Sequence, residues 1–369
     1  MKNGFIAILI SLLVLGTGYY AWSQDSSAAG VRLDAMPDGG LRVYLDGSFF
    51  AEYRPDCEGT PIIWPICSAQ GALMTRNWPM IDDEPIDNEK DPEFKNILKN
   101  AKWYLPTEEQ DHPHHRSLWF THGEVSGSNF WMLGKAKISQ RDCQILETGD
   151  HYITIQTKND WLAEQDQKPV CTDVRTVTLG TLTSHPAFRY IDFDITITAE
   201  RDNVTFVDTK EGTLGIRVPG TMDGTATKRN AAWGGNIINS NQQKNDDAWG
   251  KHADWVDYSG PIPVRLTDEQ LQETKKFEAD NVPLTSGGIL IMNHPDSFRY
   301  PTWWHVRTYG LFAANPFGQK DFESKEKENN VVIQKGKTLT FRYRLVFYDG
   351  QISFDTACQL YKNYLEGTR

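Results

Sequence analysis

Ile191-Asp192-Phe193-Asp194-Ile195-Thr196-Ile197-Thr198 alternates apolar and polar side chains without a break. Successive side chains of an extended chain point to opposite faces, so a period of two reads as a half-buried β-strand. The pattern recurs in Phe341-Arg342-Tyr343-Arg344-Leu345-Val346-Phe347-Tyr348, in His151 to Thr157 and in Asp173 to Leu179. Nearer the N-terminus, Leu41–Leu45 and Phe49–Tyr53 flank Asp46-Gly47, a two-residue hairpin signal. Ile62–Ile66 reads as a further strand, and Pro65 predicts a sheet edge because it has no N–H to donate. Gly288–Met292 is apolar enough for a buried strand, and Leu311 onward reads as a strand running into a turn. Short strands separated by Gly and Asn/Asp breaks predict an all-β, mainly antiparallel chain, a β-sandwich or supersandwich with a few short helices.

Those helices are expected over Asp91 to Asn100, Thr267 to Lys276 and Thr356 to Leu365, the last capped by Asp355. Residues 220–250, rich in Gly, Asn and Thr, predict a long surface loop. The acids of Ile191–Thr198 are expected to meet solvent. No repeat, linker or low-complexity tract divides the chain, which predicts one domain over 24–369.

Residues 1–23 predict a secretory signal: Lys2, then the apolar run Phe5 to Leu15, then Ala21-Trp22-Ser23 as a small-x-small cleavage site. An uncleaved anchor is the alternative reading. Either one predicts export to the periplasm or beyond, and no later segment reads as a membrane span. The formal charge of −11 comes without any basic run, which argues against nucleic-acid binding. Five cysteines leave at least one unpaired within the chain, and Cys57–Cys67 is the nearest expected disulfide. Twelve Trp, 14 Tyr and 17 Phe suit a β-rich core. Aromatic faces also match the C–H faces of sugars.

The chemistry concentrates in Asp111-His112-Pro113-His114-His115-Arg116-Ser117-Leu118-Trp119-Phe120-Thr121-His122-Gly123-Glu124. Four of the nine histidines fall within it. Imidazole titrates near working pH and ligates metals in its neutral form. If residues 112–116 are extended, His112 and His114 share one face and His115 takes the other. Elsewhere, Arg76 lies in Thr75-Arg76-Asn77-Trp78-Pro79, and Glu211 and Arg217 are spaced to share a strand face. A second constellation, His294, Arg299, His305 and Arg307, is expected on aromatic-rich loops.

These motifs together resemble the bacterial family named methane oxygenase PmoA. The likeness rests on Pro65 through Pro79, on Asp111 through Gly123, on Glu211-Gly212-Thr213-Leu214-Gly215-Ile216-Arg217 and on Trp249 to Gly260. It ends with His294-Pro295 through Tyr309-Gly310-Leu311-Phe312-Ala313-Ala314-Asn315-Pro316-Phe317-Gly318. That family often has Gly at the place of Ser117 and an acid near Thr308. The resemblance implies a galactose-mutarotase-like β-supersandwich that holds sugars in an open cleft and moves protons with His and Glu/Asp. It does not imply methane oxidation, which needs membrane helices and copper ligands.

The expectation is therefore an exported carbohydrate-active enzyme using general acid–base chemistry, as a lyase, dehydratase or epimerase. His112, His114, His115, His122 and Glu211 are the expected catalytic groups. Arg76, Arg116, Trp119, Glu124, Arg217, Asp257, His294, His305, Arg307 and Asn315 are expected to bind the sugar or oligosaccharide, with arginines meeting a uronic acid's carboxylate. No cofactor is required; a divalent metal, if bound, would take His112, His114 and His122. A glycoside hydrolase using Glu124, Glu211 or Asp257, and a non-catalytic glycan-binding protein, are the alternatives.

Overall fold

Asp46 and Gly47 both take positive φ, 52° and 78°, the geometry of a tight hairpin that matches strand twist. They join β2 (Leu41–Leu45) to β3 (Ser48–Arg54) as expected. The computed structural model describes residues 30–80, 109–225, 234–263 and 284–369. The expected signal and the helices expected at 91–100 and 267–276 lie outside them.

Two eight-stranded antiparallel sheets make the body. The first runs β1 (Val31–Ala35), β2, β3, β4 (Ile62–Ile66), β5 (Leu118–His122), β11 (Gly212–Arg217), β16 (Leu311–Asn315), β15 (Trp303–Val306). The second runs β12 (Asn236–Asn239), β13 (Trp255–Pro263), β14 (Leu284–Asn293), β18 (Thr338–Asp349), β9 (His185–Thr198), β8 (Pro169–Leu182), β7 (Tyr152–Leu162), β6 (Lys137–Thr148). A small sheet pairs β10 (Val204–Phe206) with β17 (Val331–Ile333). The fold is thus the expected antiparallel β-sandwich with few helices.

The alternation read in the sequence decides the packing. Phe193, Ile195 and Ile197 of β9 point between the sheets, where Phe193 and Phe341 lie 6.3 and 5.7 Å from the ring of Phe120 on β5. Phe120, Leu214, Ala314 and Trp304 stand in register across β5, β11, β16 and β15 and bury the inner face of the first sheet. Each large apolar side chain buried this way stabilises by about 1.5–3 kcal/mol.

The other face of β9 corrects the sequence reading. Asp192 and Asp194 sit opposite Arg344 and Arg342 and pair with them, at 2.6 and 3.2 Å, instead of simply meeting solvent. Helix α2 (Phe354–Leu365) packs Ala357, Leu360 and Tyr364 on this outer face. Its cap is Ser353, whose hydroxyl accepts from the Thr356 amide, and not Asp355. The only other α-helix among the described residues is α1 (Gln319–Phe322).

Three further expectations change. Pro65 is not at an edge, since β4 lies between β3 and β5. It is tolerated because β5 pairs only Ile62 and Ile63 of β4, and the β3 ladder slips between Ala51 and Tyr53. Cys57 and Cys67 stand as separate thiols in one apolar cluster, not as a disulfide. The 220–250 stretch contributes β12 as an edge strand of the second sheet, which makes it more than a loop. No helix among the described residues is long and apolar enough to cross a membrane.

Candidate active site

The outer face of the first sheet carries most of the expected site residues. Along β5, Phe120 and His122 point inward, while Trp119 joins a second aromatic cluster with Trp64 and Trp131 outside. Gly215 stands opposite Trp119 on β11, and a Cβ there would lie 2.5 Å from the indole. Glycine therefore lets the Trp119 ring lie across the strand.

The segment before β5 is not extended. The His115 amide donates to the His112 carbonyl at 2.9 Å, and His112 takes φ 43°. This turn gathers all three imidazoles together, where alternation would have split them. His112 stacks on His115 at 4.9 Å, and His114 meets His115 edge-on at 4.3 Å. His115 lies over Trp119 at 5.5 Å. Ser117 takes φ 53°, a left-handed conformation that glycine adopts most easily. Its hydroxyl donates to the Ile63 carbonyl and is hydrogen-bonded to the Thr75 hydroxyl.

Asp111 ties the cluster to the arginines. One carboxylate oxygen accepts from Arg217 at 2.8 Å and from Arg76 at 3.4 Å. The other meets His112 Nδ1 at 2.8 Å. Burial pushes the Asp111 carboxyl up, but the His112 bond and the Arg217 and Arg76 charges outweigh it and hold it down at about 2. Asp111 is thus an anion that can only accept, so His112 Nδ1 donates to it. The His112 side chain is 40% exposed, so the ring is open to solvent.

His115 is held the other way round. Its Nδ1 lies 2.9 Å from Arg217 Nη1, and arginine can only donate. His115 therefore accepts, with its proton on Nε2. Burial, then the Arg217 charge, keep it neutral, well below the usual imidazole range. Arg76 is also held by Asp223 at 2.8 and 2.9 Å. Burial raises Asp223 to about 6 in spite of that partner. Gly310, at φ 99°, passes so close that a Cβ would meet Asp223 at 2.7 Å.

Tyr309 joins the parts. Its ring stacks on His112 at 5.3 Å, and the Arg217 and Arg307 guanidinium carbons lie 5.1 and 5.6 Å from its centre. Glu211 is half-buried just before β11, and burial raises its carboxyl. The charges of Glu211 and Asp111 both act on Tyr309, whose hydroxyl burial pushes up. His305 sits on β15 itself, not on a loop; its Nδ1 meets the Lys210 carbonyl at 2.9 Å. Burial holds it down at about 4.

The structure thus brings together His112, His114, His115, Glu211, Arg76, Arg217, Arg307, His305 and Trp119. Other expected residues lie elsewhere. His122 is in the inter-sheet core between Phe206 and Phe317, bonded to the Val207 carbonyl at 2.7 Å. It cannot complete a metal set with His112 and His114, and no group of three metal-binding side chains forms among the described residues. Arg116 turns away to the Cys57 carbonyl. Glu124 is exposed and contributes its carbonyl to Val207. Asp257 accepts from Tyr348 at 2.6 Å on the outer face of the second sheet. His294 packs on Tyr364 of α2. Asn315 is buried and ties the Thr209 carbonyl to the Phe317 amide.

Asp111, Asp223, Trp131, Trp249 and Tyr309 were not among the expected site residues. Asp111 and Tyr309 stood inside the quoted motifs, so adjacency to histidine and to Arg307 was the available signal. Asp223 had none, because only the chain's return to Arg76 reveals it.

The buried His122 gives a pH prediction. Burial lowers it to about 4, whereas an unfolded chain protonates histidine near 6.5. Its contribution is present above that pH and is lost as pH falls toward 4. Other groups shift both ways, Asp257 being raised to about 7 by burial, so a difference is the clean readout. Between pH 7 and 5, His122→Leu should lose about 2 kcal/mol less unfolding free energy than the wild type. Urea titrations at both pH values measure this, and parallel pH dependences would refute it.

No curated protein matches the chain. Among solved structures, the heparan sulfate lyase HepC from Pedobacter heparinus is similar over 89% of this chain and 36% of its own, at 12% identity and TM-score 0.33. The chain therefore spans about a third of that protein's length. A putative aldose 1-epimerase from Klebsiella pneumoniae subsp. pneumoniae MGH 78578 is similar over 92% of this chain and 88% of its own, at 9% identity and TM-score 0.40. Likenesses this distant carry no functional argument. The methane-oxygenase name suggested by the sequence motifs is not what the family comparison returns. Residues 40–362, which span nearly all of both sheets and every residue of the site, match a single family, and the chain belongs to it: the Family of unknown function (DUF6807).

Proposed function

We propose that this chain is an exported enzyme that abstracts and returns protons on a sugar or oligosaccharide. The observation that carries the reading is the Asp111–His112 pair, an ionised carboxylate that orients an exposed imidazole through its Nδ1. Glu211 supports it as the acid, since burial keeps its carboxyl protonated to higher pH than usual. An imidazole and a carboxyl group can divide the base and acid roles. Trp249 and Tyr309, both half-buried, supply aromatic faces suited to a pyranose.

A hydrolase reading loses support from the same geometry. It needs two opposed carboxylates. Asp257 is on the other sheet, Glu124 is an exposed loop residue, and Asp111 is taken up by two arginines.

The test is a panel of neutral and uronic-acid-containing oligosaccharides in deuterated buffer. Incorporation of solvent deuterium, or absorbance from a new conjugated double bond, is the expected result. Glu211→Gln should slow it by about 10²-fold. New reducing ends without either signal would make the protein a hydrolase, and binding without turnover would make it a glycan-binding module.

A further inference from the structure

The three arginines of the site are not equivalent. Arg217 and Arg76 are buried and already neutralised, by Asp111 and by Asp111 with Asp223. A substrate anion would have to displace those carboxylates to use them. Arg307 is different. It is only half-buried, and among the described residues its guanidinium has no hydrogen bond and no carboxylate partner.

Its surroundings are aromatic. The guanidinium carbon lies 5.6 Å from the centre of the Trp249 ring and 5.6 Å from that of Tyr309. Its backbone is fixed: the amide donates to Leu311, and the carbonyl accepts from Gly310 and from the Tyr258 hydroxyl. Aromatic neighbours hold a guanidinium while leaving its N–H fork available. That fork matches an oxyanion with two parallel hydrogen bonds. The exposed Lys210, whose charge reaches Glu211 and His305, adds positive potential beside it. Tyr309 touches both Arg307 and His112, so an anion held at Arg307 belongs to the molecule presented to the base.

We propose that Arg307, braced by Trp249 and Tyr309, is the subsite for a negatively charged substituent of the sugar, a carboxylate or a sulfate ester, and that the site selects acidic over neutral sugars. This rests on the sugar reading above and adds the substrate class to it. Arg76 and Arg217 shape the base, and only Arg307 reads the charge.

Calorimetric binding of uronate-containing, sulfated and neutral oligosaccharides to the wild type, Arg307→Gln and Arg307→Lys tests it. The wild type should bind an acidic sugar about 10–100-fold more tightly than its neutral counterpart. Arg307→Gln should erase that difference between acidic and neutral sugars, while Arg307→Lys keeps part of it. Preference for the uronates assigns a carboxylate, and preference for the sulfated sugars assigns a sulfate. Equal wild-type affinity for acidic and neutral sugars, or a preference that survives Arg307→Gln, overturns the charge assignment. The acid–base reading would survive that result if neutral sugars still turned over through His112. Absence of binding to every sugar would instead overturn both.

Discussion

Asp111→Asn should lower kcat by about 10³–10⁴-fold and destabilise the fold by about 3 kcal/mol, although it removes only a charge. The aspartate accepts three hydrogen bonds and donates none: Arg217 and Arg76 on one oxygen, His112 on the other. An asparagine replaces one acceptor with an NH₂. If the amide nitrogen faces Arg217, donor meets donor around a guanidinium that is only 1% exposed. If it faces His112, the imidazole must accept on Nδ1, and its proton moves to the nitrogen that should be the base. Either orientation removes a function, and a side-chain flip restores neither. Buried charges left without partners are costly, so Arg217 sets the stability loss. The wild-type carboxylate, held at about 2, also keeps this network charged well into acid, whereas the amide variant has no such titration. Steady-state kinetics with urea unfolding measure both effects. Near-wild-type kcat in a folded Asp111→Asn protein would remove the carboxylate from the mechanism.

The fold was legible because it is written in a local code. A period of two in Ile191–Thr198 states which side chains go inward, and the core follows it at Phe193, Ile195 and Ile197. What the strand could not state was its neighbour. Asp192 and Asp194 read as solvent-facing because Arg344 and Arg342 arrive from well over a hundred residues away in sequence. The site divides in the same way. The histidine cluster announced itself by density, but its geometry depended on one backbone choice. A turn at His112, with φ 43°, converts alternation into clustering. His122 was misread because density ignores facing: within β5 it shares parity with Phe120, and Phe120 points to the core. A strict reading of that strand alone would have separated it from the others. Arg76 and Arg217 were expected as substrate clamps. Their neutralisation by Asp111 and Asp223 comes from chain returns no single-strand pattern contains.

His112→Ala carries the second large effect, a loss of about 10²–10⁴-fold in turnover with little change in stability. The imidazole is 40% exposed and stacks between the planes of His115 at 4.9 Å and Tyr309 at 5.3 Å. Little apolar area is lost on truncation, and Asp111 keeps both arginines. What disappears is the exposed imidazole that Asp111 orients. The slot left between two parallel rings has the shape of an imidazole, so added imidazole should restore part of the rate in the His112→Ala protein. Neighbouring histidines give the contrast that makes the assignment specific. His115 Nδ1 is occupied by Arg217, so His115→Asn should lose activity through displacement of Arg217, and added imidazole should not rescue it. His122 lies on the inner face of β5, so His122→Leu should keep turnover in spite of its altered acid stability. If His122→Leu is as inactive as His112→Ala, or if His112→Ala turns over normally, the base is not where the Asp111 carboxylate points.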